Sequence, residues 1–180
     1  MDSPNEEGNL RNEPPPLELY DPDMVELPPM SEVRPGYYAM LISGNTESFV
    51  PGLYKGEATL TNTNTPIING RGIRGSIQKE LDFLYTQGVI RKLSVFFKSS
   101  EPKVNNYPLL TYSDFRERLP EDSVSATYTI SSNYRFESQE GRLEIHSLND
   151  TLVEGVLSGT FVSERQDTVD ITVHFKAVIE

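Results

Sequence analysis

The stretch from Gly141 to Glu164, GRLEIHSLNDTLVEGVLSGTFVSE, decides the fold. Leu143 and Ile145 alternate with polar residues, Asn149-Asp150 supplies a turn, and Val153, Gly155, Leu157, Gly159 and Phe161 alternate again. Period-two patterning on both sides of a turn pair is the signature of a β-hairpin with one buried face. The next run, TVDITVHFKAVI (168–179), repeats it: Val169, Ile171, Val173, Phe175, Ala177 and Ile179 fall on one face, Asp170, Thr172, His174 and Lys176 on the other.

Working outward, YYAMLI (37–42), GEATLT (56–61), VIRKLSVFFK (89–98), VSATYTIS (124–131), YRFES (134–138) and RLEIHSL (142–148) also read as strands. Eight or so short strands joined by polar turns predict an all-β domain over 37–180, an antiparallel β-sandwich or partly closed barrel. Two helical segments are compatible with that class. In SIQKELDFLYTQG (76–88), Ile77, Leu81 and Leu84 at i, i+4 and i+7 before Gly88 predict a short helix near 76–87. SDFRER (113–118) is consistent with a single helical turn.

Residues 1–36 are of another kind. They hold eight of the 13 prolines, and nine acids against Arg11 and Arg34, so this fifth of the chain supplies −7 of the formal charge of −11. Pro14-Pro15-Pro16 favours polyproline II, and composition alone reads as a disordered spacer. The segment LELYDPDMVELPPM also interleaves Leu17, Leu19, Tyr20, Met24, Val25, Leu27 and Met30 with acids. That pattern predicts an arm whose residues 17–30 dock in extended form on the β domain or on a protein partner, while residues 1–13 stay free or are held by other chains.

Composition narrows the function. A net-negative chain with no basic cluster is poorly suited to nucleic acid or to anionic membranes, where Lys and Arg supply the affinity. No apolar run approaches the roughly 20 residues of a membrane-spanning helix. The absence of cysteine excludes disulfides, zinc–thiolate sites and cysteine nucleophiles.

The motifs with chemical potential have plainer readings. GRGIRG (70–75) matches G-x-G-x-x-G but lacks a preceding strand of useful length, a parallel unit and a ribose-binding acid 20 residues on, so it reads as a glycine-rich turn or bulged strand. His146 with Glu144 and His174 with Asp170 share strand faces, which would suit a metal only if their strands were neighbours; otherwise they are solvated faces. No serine stands in G-x-S-x-G, and a carboxylate pair for glycoside hydrolysis can be neither located nor eliminated by counting. With no Trp, a sugar platform would fall to Tyr37, Tyr38, Tyr54, Tyr85, Tyr107, Tyr112 or Tyr134. The residues name no catalytic group, metal or cofactor.

Gly141, Leu143, Ile145, Asn149, Asp150, then Gly155, Leu157, Ser158, Gly159, Thr160 and Phe161, then Val169 to Phe175, with NYPLL (106–110) ahead of them, form an ordered pattern. It resembles the carboxyl-terminal half of small uncharacterised lipoproteins of Bacteroidota. The resemblance implies an exported β-rich protein at the outer membrane or cell surface, held by a lipid anchor if at all. MDSPNEEGNL has no leader character and the lipid-bearing cysteine is absent, so export implies a leader already removed. The expected function is that of a non-catalytic accessory protein binding another protein; the alternatives are a carbohydrate-binding module and, after it, a hydrolase.

Overall fold

The structure, a computed structural model, describes residues 25–44, 51–69, 72–98, 101–117, 122–131 and 134–180; the side chains of 63–69, 72–78, 116 and 117 lie outside that description. Its elements in chain order are a 3-10 turn (Met30–Glu32), β1 (Tyr37–Gly44), β2 (Gly52–Asn69), β3 (Gly72–Tyr85), β4 (Arg91–Phe97), β5 (Asn105–Leu110), α1 (Tyr112–Glu117), β6 (Val124–Ile130), β7 (Tyr134–Leu148), β8 (Leu152–Ser163) and β9 (Thr168–Ile179).

The strands form one mixed sheet that closes on itself in a ring, in the order β1-β2-β3-β4-β6-β5-β7-β8-β9 and back to β1. Neighbours pair antiparallel except at two places. β5 meets β6 in parallel at Leu109–Leu110, and β9 meets β2 in parallel at Thr59 and Leu60, just past the start of the shorter β1. Closure matters because an open sheet would leave two long unpaired edges.

Alternation explains the interior. Ile42 and Met40 from β1, Leu81 and Phe83 from β3, Leu93 and Val95 from β4, Leu157 and Phe161 from β8 and the odd-numbered residues 169–177 of β9 are all buried in one contiguous core. At roughly 1.5 to 3 kcal/mol for each fully buried large apolar side chain, this inward face is what fixes strand register. The core is rich in aromatic edge contacts, such as Tyr38 on Phe83 at 5.4 Å and Phe97 on Tyr107 at 5.3 Å between ring centroids.

The hairpin read from the sequence is β7–β8. Its turn is held by Asn149, whose Oδ1 accepts from the backbone N–H groups of Thr151 and Leu152, each at 2.9 Å. Two glycines there make room for neighbours. A Cβ on Gly155 would collide with the Glu144 carbonyl oxygen and the Phe175 ring, and one on Gly159 with Leu109 and the Glu140 carbonyl oxygen. The runs 134–138 and 142–148 are one strand, β7, interrupted by register shifts between Ser138 and Glu140 and between Ile145 and Ser147. At the first shift β5 wedges between β6 and β7. Buried Ser138 closes the seam: its Oγ accepts from Ala126 N at 3.0 Å and donates to the Leu110 carbonyl at 2.6 Å.

One expectation is overturned: residues 76–87 are not a helix. Gly72–Tyr85 is a strand, paired to β2 along its length and to β4 from Glu80 to Tyr85. The i, i+4, i+7 pattern counted Leu84, which is only half-buried. The buried residues are Leu81 and Phe83, in the period of two that Tyr85 continues. Ladder partners on both sides outweigh a local helical periodicity. The α-helix among the described residues is α1, where Thr111 Oγ1 caps Asp114 N at 3.1 Å and Phe115 is buried.

Candidate protein interface

Two features depart from the closed ring: the arm that leads into β1 and the far half of the β2–β3 hairpin. The arm turns into the sheet at Gly36, whose φ of +82° suits glycine. Gly36 N donates to the Lys176 carbonyl at 2.6 Å and its own carbonyl accepts from Ala58 N at 2.9 Å, so this residue ties β9 to β2 above the start of β1. Followed backwards, the arm crosses the outer face of β1 and β9. Val33 is buried, and the Pro28 carbonyl accepts a hydrogen bond from His174 Nδ1 at 2.9 Å. That contact fixes the proton on Nδ1. A shallow cleft lined by Pro28, Val33, Arg34, Tyr37, Ala39 and Lys55 runs between arm and sheet. Outward-facing Ala39, 2% exposed, is covered.

Of the seven arm residues the sequence singles out, Val25, Leu27 and Met30 are half-buried; Val25 and Leu27 lie in irregular backbone and Met30 opens the 3-10 turn. Leu17, Leu19, Tyr20 and Met24 lie outside the described residues, as do residues 1–13. Val33 and His174 also belong to this docking, and alternation could not single them out, because both sit on strand or arm positions that look solvent-facing.

The second feature is the β2–β3 ribbon. β2 pairs with β1 through residues 52–57 and with β9 at Thr59 and Leu60; β3 pairs with β4 only from Glu80 on. Beyond these limits the ladder continues between β2 and β3 alone, to Asn69 opposite Gly72. Residues 62–69 and 72–79 therefore leave the ring as two strands, each with one edge unpaired among the described residues. At about 3.3 Å per residue the projection is roughly 26 Å long. Four of the six residues of GRGIRG lie here: Gly72–Gly75 is antiparallel strand, while Gly70 and Arg71 lie outside the described residues. No helix follows, so the geometry is not that of a dinucleotide loop.

A polar cluster also lies on the ring. On the outer face of β3 and β4, Lys92 Nζ lies 3.4 Å from Glu80 and 2.9 Å from Asp82, and Ser94 Oγ donates to Asp82 at 2.6 Å. Burial and then the neighbouring Asp82 raise the Glu80 pKa above the ordinary carboxylate range. Burial works against the Lys92 ammonium, but its contacts with Asp82 and Glu80 outweigh it and hold the pKa high. An ammonium so held has no lone pair to offer as a base. The cluster is an ion-pair ladder across two strands.

Inside the ring, Arg91 donates from Nη1 to Tyr128 OH at 3.1 Å and stacks 4.6 Å from the centroid of Tyr54, which meets Tyr85 edge-on. Burial pushes the Tyr128 phenol up to about 12, and raises Tyr38 as well. Of the tyrosines a sugar could stack on, Tyr37 and Tyr112 are exposed; Tyr37 carries Arg34 at 4.7 Å. The histidines are apart. β8 lies between β7 and β9, and Glu144 faces His174 across Val156, so the two histidine-bearing strands are not neighbours. Among the described residues no group of three His, Asp or Glu could hold a metal ion, and no helix is long and apolar enough to cross a membrane.

No protein-family model, curated protein or solved structure matches the chain.

Proposed function

We propose that the chain is a non-catalytic, exported accessory protein that binds another protein as a subunit of an outer-membrane or cell-surface assembly. The observation that carries the binding part is the ribbon. Its two outer edges present rows of backbone N–H and C=O groups that a further strand can satisfy. An isolated two-stranded ribbon is marginal in water, so pairing would stabilise both sides. The arm supports the same reading, since part of it already docks apolar residues on the outside of the ring. The location rests on the lipoprotein-like pattern of β7 to β9.

The experiment compares the full chain with a variant in which Asn62–Lys79 is replaced by Asn-Gly. Thr61 and Glu80 are a ladder pair, so a two-residue turn can join them. Both proteins are immobilised and exposed to detergent extracts of the native membrane. A protein retained by the full chain and lost with the shortened one supports the reading. Equal retention by both would move the interface off the ribbon.

A further inference from the structure

The ribbon and the arm differ in charge and complement one another. From Ala58 to Lys79 there is no acidic residue, while Arg71, Arg74 and Lys79 are basic, in a chain whose net charge is −11. Residues 1–24 hold seven acids against Arg11. The ribbon's two edges are also unequal. β2 carries Pro66, whose missing N–H interrupts a row of donors, whereas β3 from Gly72 to Lys79 has no proline and contains Arg74 and Lys79. In the arm, Pro16 and Pro22 bracket one run capable of strand pairing, LELYD (17–21), in which Leu17 and Leu19 alternate with Glu18 and Tyr20.

Direction decides whose arm meets whose ribbon. Between Gly36, bonded to Lys176 and Ala58, and Pro28, bonded to His174, the arm moves away from Leu60, where β2 leaves the ring. His174 pairs with Ala39 and Ala39 with Lys55, a row farther from the ribbon than Tyr37 with Glu57. A strand departing in that direction suits the ribbon of another molecule. Residues 22–27, which link this run to the docked Pro28, span at most about 20 Å, and a five-residue strand needs only about 17 Å of edge.

We propose that residues 17–21 of one copy add as a strand to the free edge of β3, Gly72–Lys79, in a second copy, so that the chain assembles head to tail. The inference rests on the protein-binding reading above and names its partner. The contact joins two different surfaces, so without a closing rotation it generates open chains rather than a symmetric dimer.

The test is sedimentation velocity of the full chain over a wide concentration range, with two charge-reversed variants. One is E18K/D21K/D23K in the arm, the other R71E/R74E in the ribbon, and circular dichroism checks that each keeps the β signature. The wild type is expected to form species that grow with concentration. Each variant alone should associate at least about tenfold more weakly, because arm and ribbon then carry like charge. An equimolar mixture of the two variants should regain association, since each arm meets an opposite ribbon. A wild type that stays monomeric throughout, association untouched by either reversal, or a mixture no better than its components would overturn the proposal. If the chain does not self-associate while a membrane protein still depends on the ribbon for retention, this inference fails and the broader function stands.

Discussion

The β7–β8 and β2–β3 hairpins are both long antiparallel pairs, and they differ in what lies beside them. β7 is flanked by β5 and β6, and β8 by β9 along nearly its whole length, so the hairpin's inward residues reach a core they share with the opposite wall. Among the described residues, β2 and β3 have neighbouring strands only over residues 52–60 and 80–85, and then run on together. The sequences differ in the same places. LVEGVLSGTF alternates apolar and polar residues, whereas TNTNTPIINGRGIRGS offers no such repeat. A buried face specifies register and stability; a ribbon without one is left with its backbone, and that is what a binding partner can use.

Disrupting the first hairpin should have the largest effect. Gly155→Val places a branched side chain where even a Cβ meets the Glu144 carbonyl and the Phe175 ring, and backbone cannot move aside cheaply. A loss of more than about 3 kcal/mol is expected from chemical denaturation, in the range where core overpacking is severe. A shift of the midpoint too small to measure would mean that β8 does not approach β7 and β9 so closely.

Alkali should act next, and only on the ring. Tyr128 has a folded-state pKa raised by burial to about 12, against about 10 for an unfolded tyrosine, and Tyr38 and Tyr107 shift in the same direction. The unfolded chain therefore releases these protons first. Their contribution to stability is fully present below pH 10 and falls as pH rises through about 12, by roughly 2 to 3 kcal/mol for Tyr128 alone. Tyrosine ionisation followed at 295 nm should be biphasic, exposed rings first and the rest together with unfolding. A single phase near pH 10 with the fold intact would place these rings in water.

Ser138→Ala should cost about 1 to 3 kcal/mol, because it removes partners from Ala126 N–H and the Leu110 carbonyl at the seam where β5, β6 and β7 meet. Replacing Asn62–Lys79 by Asn-Gly should change ring stability by less than about 1 kcal/mol, since among the described residues the excised ones pair with no strand outside the ribbon. A large loss there would show that the ribbon helps to hold the ring, and the contrast between the hairpins would fail.

Local pattern made β8 and β9 legible to the residue, because each alternates cleanly over a full strand. It located most of β1, β4 and β6 for the same reason. β3 was misread because a helical spacing of Ile77, Leu81 and Leu84 overlies the period of two, and only the ladders to β2 and β4 decide between them. β5, with Pro108 in its middle and two residues of pairing to β6, has too little periodicity to stand out. The strand pattern leaves a sandwich and a partly closed barrel equally open; what decides for closure is β9 reaching both β1 and β2, a contact across more than a hundred residues. For the candidate interface, composition isolated the arm, and three of its seven chosen residues lie half-buried near the ring. The ribbon's free edges are a property of pairing that neither hydrophobicity nor motif encodes.

Amide hydrogen exchange of the full chain, read peptide by peptide, bears most directly on the contrast between the hairpins. At concentrations low enough to keep copies apart, peptides from β7, β8 and β9 should exchange only at the rate of global unfolding, while 62–79 should exchange orders of magnitude faster. Raising the concentration should slow exchange in 72–79 together with 17–21 and leave the ring unchanged. Protection of 62–79 equal to that of β8 in the dilute chain would contradict the account, because the ribbon would then have no edge to offer.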